Sequence, residues 1–255
     1  MNDTPRFKDH FSRQAAEYTR YRPSYPPEMF QWLAGLTTAH DTAWDCGCGN
    51  GQAAIGLAPH YHQIVATDPS RQQIEQAQPH ERIRYGVAPA EVSGIEANSV
   101  DLIVVAQALH WFDFDRFYQE VRRVGRPNGV IAAISYGEVR VDGPADGIVS
   151  RFYHEIIAPY WPPERRYVDD HYATIRFPFP EIIAPGFTME IQWDLEYLTG
   201  YLGTWSAVKE YRQQQGNDPL AIIAGELAAA WGVPSGERSV TWPLTLRVGR
   251  IAPLP

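Results

Sequence analysis

Cysteine and long apolar runs are scarce in this 255-residue sequence, and each shortage excludes a class of protein. The two cysteines, Cys46 and Cys48, are too few for a disulfide scaffold, and no second pair of ligands stands at metal-binding spacing. No window reaches about 18 apolar residues, and the N-terminus has no apolar stretch of signal-peptide length. We therefore expect a cytoplasmic protein without a metal, in which both cysteines are packing residues.

Positive charge is also in short supply. Lysine and arginine total 22 against 30 aspartate and glutamate residues, which gives a formal net charge of −8. Such a balance repels polyanions, so a long nucleic-acid-binding surface is not expected, and nothing suggests a membrane partner. We expect a small molecule as the partner of a monomer or weak homodimer.

Strand-like and helix-like segments alternate between residues 42 and 136. The strand-like segments are TAWDC (42–46), HQIVATD (62–68), RIRYGVA (82–88), VDLIVVAQAL (100–109) and GVIAAISY (129–136). Helical patterns fill the gaps, and Asp113 opens the helix before the last strand. Strands that alternate with helices predict an open, mostly parallel sheet with right-handed crossovers.

The flanking segments have a different character. Helical spacing over residues 6–19 and a second helix near 27–36 predict a helical cover formed by residues 1–40. Residues 138–186 are rich in aromatics and prolines, which favours an insertion that acts as a lid, and residues 197–232 form a second, helical cap segment. No linker is visible, so we expect one domain spanning residues 1–255.

Two late runs alternate apolar and polar residues, at positions 187–195 and 240–248. A period of two indicates strands with one buried face, and a strand that follows a helical connection can return antiparallel. Pro243 predicts an edge position or a bulge early in the second run.

The glycine-rich turn after the first strand has a specific spacing. Its glycines stand at alternate positions, Gly47, Gly49 and Gly51, directly after Asp45. A dinucleotide fingerprint would need another glycine at Gln52, so a nicotinamide cofactor is disfavoured. Asp68 closes the next strand, where a carboxylate can accept hydrogen bonds from both hydroxyls of a ribose.

Several motifs together resemble a known family. In order and spacing, WDCGCGNGQ, VATDPS, VAPAE, VDLIVVAQALHWFD and GRPNGVIAAISY resemble the successive motifs of class I S-adenosylmethionine-dependent methyltransferases, over about residues 8–137 and more loosely the late strands. AQALHWFD and YRPSYP look most like the type 11, trans-aconitate methyltransferase-like branch of small-molecule enzymes. The resemblance implies an α/β, Rossmann-like, seven-stranded and mostly parallel sheet whose last strand is antiparallel, with helices on both faces.

The resemblance also implies site residues. For S-adenosylmethionine, and for its product S-adenosylhomocysteine, the matching positions are Tyr18, Arg22, Asp45, Gly47, Gly49, Gly51, Asp68, Pro69, Ala90, Glu91 and Gln107. Arg22 would pair with the methionine carboxylate, and Asp68 would hold the ribose. Pro89 stands where the family often has an acidic residue, which leaves the contact to the adenine amino group open.

Acceptor-side candidates come from the fourth strand and the aromatic insertion. They are His110 as a general base, with Trp111, Tyr160, Trp161, Arg166 and Trp205 as substrate-contacting residues. His110 would be needed only if the acceptor must lose a proton. Arg166, together with Arg165, could clamp an anionic acceptor.

The sequence therefore predicts methyl transfer from S-adenosylmethionine to a small molecule, at an oxygen of a carboxylate or a phenol. Three alternatives stay open at this point: methylation of carbon or nitrogen on a quinone-like or aromatic acceptor, a non-catalytic binder of S-adenosylmethionine or S-adenosylhomocysteine, and a nicotinamide-dependent oxidoreductase.

Overall fold

The computed structural model describes residues 23–251. The predicted helix at 6–19 and the two candidates Tyr18 and Arg22 lie outside the described residues, as does most of the predicted cover at 1–40. Within the described part, helix α1 occupies Pro27–Gly35, close to its predicted bounds.

The remaining elements follow in chain order. The strands are β1 (Thr42–Cys46), β2 (Gln63–Asp68), β3 (Ile83–Val87), β4 (Val100–Ala106), β5 (Gly125–Tyr136), β6 (Arg140–Val141), β7 (Glu181–Ile182), β8 (Thr188–Trp193) and β9 (Arg238–Arg250). The helices after α1 are α2 (Gln52–Leu57), α3 (Arg71–Glu75), α4 (Phe114–Val124), α5 (Ala145–Arg151), α6 (Arg165–Asp169), α7 (Leu195–Gly203), α8 (Ser206–Gln215) and α9 (Leu220–Trp231). Short turns of 3₁₀ or π type lie at Leu109–Trp111, Phe152–Ile156 and Ala158–Tyr160.

The sheet has the order β3-β2-β1-β4-β5-β9-β6. Strands β1 to β5 pair in parallel, and β9 runs antiparallel to β5. The predicted Rossmann-like fold, mostly parallel with an antiparallel last strand, is confirmed. Because sheet order reverses beside β1, the loops after β1 and β4 diverge from a common crevice, which is where open α/β sheets bind ligands.

Beyond β5, the edge of the sheet contains more strands than the two that the sequence predicts. Strand β9 is 13 residues long: its second half pairs with β5, and its first half pairs with β8 and β6. Pro243 lies inside β9 at the change of partner, opposite Thr188 and one residue before the pairing with β5 begins at Leu244. The proline therefore marks a transition within a long strand, because a residue without an N–H interrupts the hydrogen-bond ladder least there.

Both faces of the parallel sheet are covered. Successive residues of β4 alternate between two apolar clusters: Leu102 and Val104 pack on one face, and Ile103 and Val105 on the other. All four are fully buried. A strand buried on both faces needs an unbroken apolar run, which explains the sequence VDLIVVA.

A third apolar cluster, here termed the cap cluster, lies beside the sheet. Its large aromatic members are Tyr136, Phe152, Tyr153, Trp193, Tyr201, Trp205, Trp231 and Trp242. The aromatic insertion predicted at 138–186 divides between environments, since Phe152 and Tyr153 join the cap cluster whereas Tyr172, Phe177 and Phe179 pack against the sheet.

The first helical pattern of the cap segment is interrupted. Within the predicted helical cap segment at 197–232, α7 ends at Gly203 and α8 begins at Ser206. The break places Trp205 in an extended conformation, and its ring packs within the cap cluster. Tertiary packing of one large side chain thus overrides the local helical propensity.

Candidate active site

A cavity of about 470 Å³ opens at the carboxyl ends of the parallel strands. Every one of the five strand ends contributes to its wall. From the β3 side to the β5 side the lining residues are Pro89, Ala90, Glu91 and Val92; Asp68, Pro69, Ser70 and Gln73; Asp45, Gly47, Cys48, Gly49, Asn50, Gln52 and Ala53; Ala106, Gln107, Ala108, Trp111, Phe112 and Arg116; and Tyr136, with Tyr25 and Glu164 from flanking segments.

The glycine-rich turn forms the centre of the wall. The N–H groups of Gly47 and Cys48 both donate to the carbonyl of Thr67, at 2.8 and 3.0 Å, so the turn is tied to the end of β2. Gly47 has φ +70°, and a Cβ there would come 2.6 Å from that of Ala108. Only glycine fits this approach between the loops after β1 and β4.

Positions 49 and 51 require glycine for different reasons. Gly49 has φ +54°, and a Cβ on it would meet no atom closer than 3.9 Å, so the space beside it belongs to the cavity. Gly51 does not line the cavity: it begins α2 with φ +89°, and a Cβ there would collide with the phenol of Tyr85. The predicted cofactor contact by Gly51 is therefore not supported, because Tyr85 fills the space beside it.

Asp68 is held in place by the backbone around it. One carboxylate oxygen accepts from the N–H of Gly49 at 2.9 Å, and the other accepts from the N–H of Ser70 at 2.8 Å. The side chain is 9% exposed and lines the cavity. Since each carboxylate oxygen accepts more than one hydrogen bond, Asp68 can hold a pair of vicinal hydroxyls in a fixed orientation.

Asp45 is the most unusual group in the site. Its side chain is fully buried, and neither oxygen has a hydrogen-bond partner within the described part of the chain. Burial raises the pKa of Asp45 to about 7; the nearby backbone N–H of Ala54 opposes this shift, and the charge of Asp68 adds to it. A buried carboxylate without partners is costly in a folded protein, which makes Asp45 a candidate for contact with a ligand.

The loop after β3 closes the opposite end. Pro69, Ala90 and Glu91 line the cavity as the sequence predicts. Glu91 accepts a hydrogen bond at 2.9 Å from the N–H of Asp113, at the start of α4. Because this contact ties the β3 loop to α4, it fixes the part of the wall that contains Ala90 and Glu91.

Gln107 lies at the end of β4 in a strained conformation. Its φ is +55°, a value that non-glycine residues rarely adopt, and its Nε2 donates to the carbonyl of Tyr136 at 2.7 Å. Both residues line the cavity together with Trp111. Tyr25 packs edge-on against Tyr136 with a centroid distance of 6.4 Å, so this end is walled largely by aromatic rings.

His110 does not lie in the cavity wall. Its Nδ1 is 2.9 Å from the hydroxyl of Tyr172, with which it forms a buried hydrogen bond, and its ring packs on Trp111. Burial lowers the pKa of His110 to about 3, and Arg165 adds to this shift. The predicted role as general base is not supported, because the ring is hydrogen-bonded to Tyr172 and packs against Trp111 outside the cavity wall.

The aromatic candidates of the cap are packing residues in this structure. Trp161 and Trp205 contact each other and Tyr153 within the cap cluster. Tyr160 packs on Tyr211 and accepts a hydrogen bond from Gln215. None of the predicted residues in this group lines the cavity, so their assignment to the acceptor is a correction that the geometry requires.

The arginine pair does not form a clamp on the cavity. Arg165 donates to the hydroxyl of Tyr153 at 2.7 Å and to Asp169 at 3.2 Å, and its guanidinium lies over the ring of Trp161. Arg166 lies over the ring of Tyr167 on the surface. Their absence from the lining removes the feature that favoured an anionic acceptor.

Some lining residues were missed by the sequence reasoning. They include Tyr25, Cys48, Asn50, Gln52, Gln73, Phe112, Arg116, Tyr136 and Glu164. Proximity to the motifs could have found most of them, since they lie within a few residues of Gly49, Pro69, Trp111 or the end of β5. Glu164 does not lie near any of these motifs, because it reaches the cavity only through the folding of the aromatic segment.

The described residues show no cluster of side chains that could hold a metal ion. Within residues 23–251 no helix is long and apolar enough to cross a membrane. The cytoplasmic location stays a prediction.

Comparisons with known proteins agree with this geometry. A family model described as a methyltransferase domain matches residues 44–133. A protein of Dictyostelium discoideum named as a methyltransferase is 32% identical over 236 residues, which cover 91% of this chain and 90% of that protein. A protein of Saccharomyces cerevisiae named as an S-adenosylmethionine-dependent methyltransferase is 30% identical over 128 residues, 47% of this chain and 44% of that one.

Among solved structures, one described as a type II methyltransferase from Anaeromyxobacter dehalogenans is 50% identical. It covers 92% of this chain and 100% of its own, with a TM-score of 0.87. The Dictyostelium and Anaeromyxobacter similarities extend over the cap as well as the sheet, whereas the family model and the yeast protein match about half of the chain or less.

Proposed function

Because the chain belongs to the class I S-adenosylmethionine-dependent methyltransferases, we propose that it transfers a methyl group to a small-molecule acceptor held in the 470 Å³ cavity. The acceptor atom we propose is oxygen, and the acceptor a phenol-like hydroxyl compound. We propose that the protein works as a cytoplasmic monomer or weak homodimer.

One observation carries the cofactor assignment. Asp68, fixed by two backbone N–H groups, and Asp45, buried without partners, line one cavity on either side of Gly49. An extended donor that carries both a ribose and positive charge complements this pair of carboxylates. Arg116, in the first turn of α4, lines the same cavity as Pro69 and Ala90, and we assign the wall around Pro69 and Ala90 to the adenine.

Each side chain has a distinct task in this arrangement. S-adenosylmethionine supplies a methyl group on a positively charged sulfur, which is open to attack by a nucleophile. Asp68 would hold the ribose hydroxyls, and Asp45 would interact with the cationic methionine end. Tyr25, Trp111 and Tyr136 would wall the reaction volume, since aromatic faces suit a sulfonium and exclude water.

The charges of the wall favour a phenol over a carboxylate. Among the described residues, five charged side chains line the cavity: Asp45, Asp68, Glu91 and Glu164 are acidic, and Arg116 on α4 is basic. A carboxylate on the acceptor would be repelled by these negative charges. The two arginines that were expected to offset this repulsion, Arg165 and Arg166, do not line the cavity. A neutral hydroxyl compound meets no such opposition.

Parallel calorimetric titrations with S-adenosylmethionine, S-adenosylhomocysteine and NADH test the cofactor. We expect micromolar binding of both adenosyl ligands and none of NADH. Failure of both adenosyl ligands would refute the proposed function. Tight binding without methyl transfer to any member of a broad acceptor panel would instead favour a non-catalytic binder.

The position of methylation needs a separate measurement. Mass spectrometry of the product distinguishes an O-methyl ether from C- or N-methylated products. Methylation at carbon or nitrogen would leave the cofactor assignment in place and refute the oxygen acceptor.

A further inference from the structure

Gln107 combines a strained backbone with a place in the cavity wall. Five non-glycine residues of the described chain have a positive φ, and Gln107, at +55°, is the one among them that lines the cavity. A side chain disfavours this conformation, so the surrounding structure has to impose it, and such strain is most often found at functional sites. The strain therefore singles out the end of β4 within the cavity wall.

The strained turn sends the main chain and the side chain to opposite neighbours of β4. Beyond Gln107 the main chain meets the glycine-rich turn after β1, where a Cβ on Gly47 would come 2.6 Å from that of Ala108. The side chain lies against the end of β5 instead. The Gln107 Nε2 donates to the carbonyl of Tyr136 at 2.7 Å, and its backbone N–H donates to the carbonyl of Ile134 at 2.8 Å. Two hydrogen bonds to one strand hold the residue in a fixed orientation.

The bond to Tyr136 determines which end of the amide is left for a ligand. A carbonyl oxygen can only accept, so the amide nitrogen has to face it, and the amide oxygen points away. The Gln107 Oε1 accepts no hydrogen bond from the described residues, and it is not among the buried atoms that lack a partner. Since Gln107 is only half-buried and lines the cavity, this oxygen is open to a hydrogen-bond donor there.

The open oxygen lies towards the end of the cavity that we propose for the acceptor. In the sheet, β4 and β5 follow β1 on one side, and β2 and β3, whose loops carry Asp68 and Glu91, follow it on the other. Tyr136 and Trp111, which line the cavity together with Gln107, offer aromatic rings against which a flat acceptor can pack. This part of the wall thus combines apolar surface with a fixed amide.

We propose, on the basis of the proposed methyl transfer, that Gln107 determines acceptor specificity, because its Oε1 accepts a hydrogen bond from the acceptor hydroxyl. The bond selects a neutral acceptor that has a hydrogen to donate. It also orients the acceptor oxygen, while the rings of Tyr136 and Trp111 hold the rest of the molecule. An amide does not take up a proton at neutral pH, so Gln107 orients the acceptor and is not its base.

The test is the preference for a hydroxyl compound over its methyl ether. 2-Naphthol and 2-methoxynaphthalene share one ring system, and the ether has no hydrogen to donate. Their binding to the complex with S-adenosylhomocysteine is compared in wild type and in Gln107→Met, which keeps the length of the side chain without the amide. We expect wild type to bind 2-naphthol about tenfold more tightly than the ether, and Gln107→Met to bind both with nearly equal affinity.

Methyl transfer to 2-naphthol gives a second readout. Gln107→Met should lower kcat/KM for 2-naphthol by about tenfold or more, because the acceptor is held less firmly and its oxygen is less well oriented. Affinity for S-adenosylhomocysteine should be unchanged, since the amide contacts the acceptor. A merely structural role would weaken binding of both naphthalene compounds and leave the preference for the hydroxyl in place.

Two further variants control for folding and for position. Glycine adopts a positive φ without strain, so Gln107→Gly should fold even where Gln107→Met does not, and it should show the same loss of preference. Gln119→Met makes the same change at an exposed position of α4 outside the cavity wall, and it should match wild type in both assays.

The outcomes separate this inference from the proposed function. If wild type binds neither S-adenosylmethionine nor S-adenosylhomocysteine, the proposed function itself is refuted. With both adenosyl ligands bound, the role of Gln107 is overturned if wild type binds neither naphthalene compound, if it shows no preference for 2-naphthol, or if a folded Gln107 variant keeps that preference. Weaker S-adenosylhomocysteine binding in the variants, with the preference intact, would assign the amide to the cofactor instead.

Discussion

The two sides of the cavity are formed by different kinds of structure. The proposed cofactor side consists of short loops attached directly to β1, β2 and β3, and it contains Asp45, a buried carboxylate whose oxygens have no hydrogen-bond partner in the described chain. The cap beside the proposed acceptor end consists of packed aromatic rings. The cap thus contributes packing stability, whereas burial of the Asp45 charge lowers stability.

Hydrogen bonding makes the same contrast visible. In the cap, the indole of Trp242 donates to the hydroxyl of Tyr201 at 2.9 Å, and the hydroxyl of Tyr153 donates to Asp169 at 2.6 Å. In the cofactor side, neither oxygen of Asp45 has such a bond. The indole N–H of Trp161 in the cap also lacks a bond, but Asp45 has both oxygens of a buried carboxylate unbonded within the described residues, which makes it a candidate for contact with a ligand.

The largest effect is expected in the cap. Trp205→Ala should lower the free energy of unfolding by about 3 to 5 kcal/mol, because a buried tryptophan leaves a cavity among Phe152, Tyr153 and Trp161. The folded variant should bind S-adenosylhomocysteine with unchanged affinity, as measured by denaturant titration and calorimetry.

Trp111→Ala is the matched comparison, since Trp111 is half-buried and lines the cavity. Trp111→Ala should lower the free energy of unfolding by less than half as much as Trp205→Ala does, and it should also weaken acceptor binding. Equal stability losses for the two variants would erase the distinction between the two sides.

The next effect concerns Asp45, where we expect a substitution to increase the stability of the ligand-free protein instead of lowering it. Because the pKa of Asp45 is about 7 when folded and 3.8 in an unperturbed carboxyl, the folded state binds the extra proton between these values. Its contribution to stability is fully present below about pH 4, declines as pH rises to 7 and is absent above it, a change of up to about 4 kcal/mol.

Asp45→Asn should therefore stabilise the ligand-free protein at pH 8 while it weakens S-adenosylmethionine binding. For wild type, affinity for this cationic ligand should rise with pH up to about 7 and then level off, and Asp45→Asn should show no such rise. Thermal unfolding and calorimetry across pH 5 to 8 measure both. A variant less stable than wild type at pH 8 would contradict the interpretation of Asp45 as a strained group.

Asp68→Ala should weaken S-adenosylhomocysteine binding by about 1.5 to 3 kcal/mol, as expected for lost charge-assisted hydrogen bonds. Since Asp68 also accepts from the N–H groups of Gly49 and Ser70, some loss of stability accompanies the change. Glu75→Ala, an exposed carboxylate on the adjacent α3, serves as the control. Unchanged affinity in folded Asp68→Ala would refute the ribose contact.

The smallest effect is expected for His110→Gln. Loss of the hydrogen bond to Tyr172 should cost about 1 kcal/mol of stability, with cofactor affinity and the pH profile of phenol methylation unchanged. Steady-state kinetics from pH 6 to 9 measure this. A tenfold or larger loss of kcat confined to phenols would restore His110 as the base.

The sequence by itself determined the side of the cavity that we propose for the cofactor. Asp45, Gly47, Gly49, Asp68, Pro69, Ala90 and Glu91 were all predicted, and all of them line the cavity. The reason is physical: parallel strands bring their carboxyl ends to one edge, so residues that directly follow β1, β2 and β3 meet whatever the rest of the chain does. The bounds of these strands were also close to the prediction, because the strand-like segments alternate with helical patterns that are visible in the sequence.

Tertiary structure alone decided the side of the cavity that we propose for the acceptor. The cap's aromatic residues share one composition, yet Trp111 reaches the cavity and Trp161 and Trp205 pack in the cap cluster. Likewise Glu164 faces the cavity, and the arginines next to it turn to other partners. Which side chain turns inward depends on packing between segments separated by dozens of residues, and no local pattern encodes that choice.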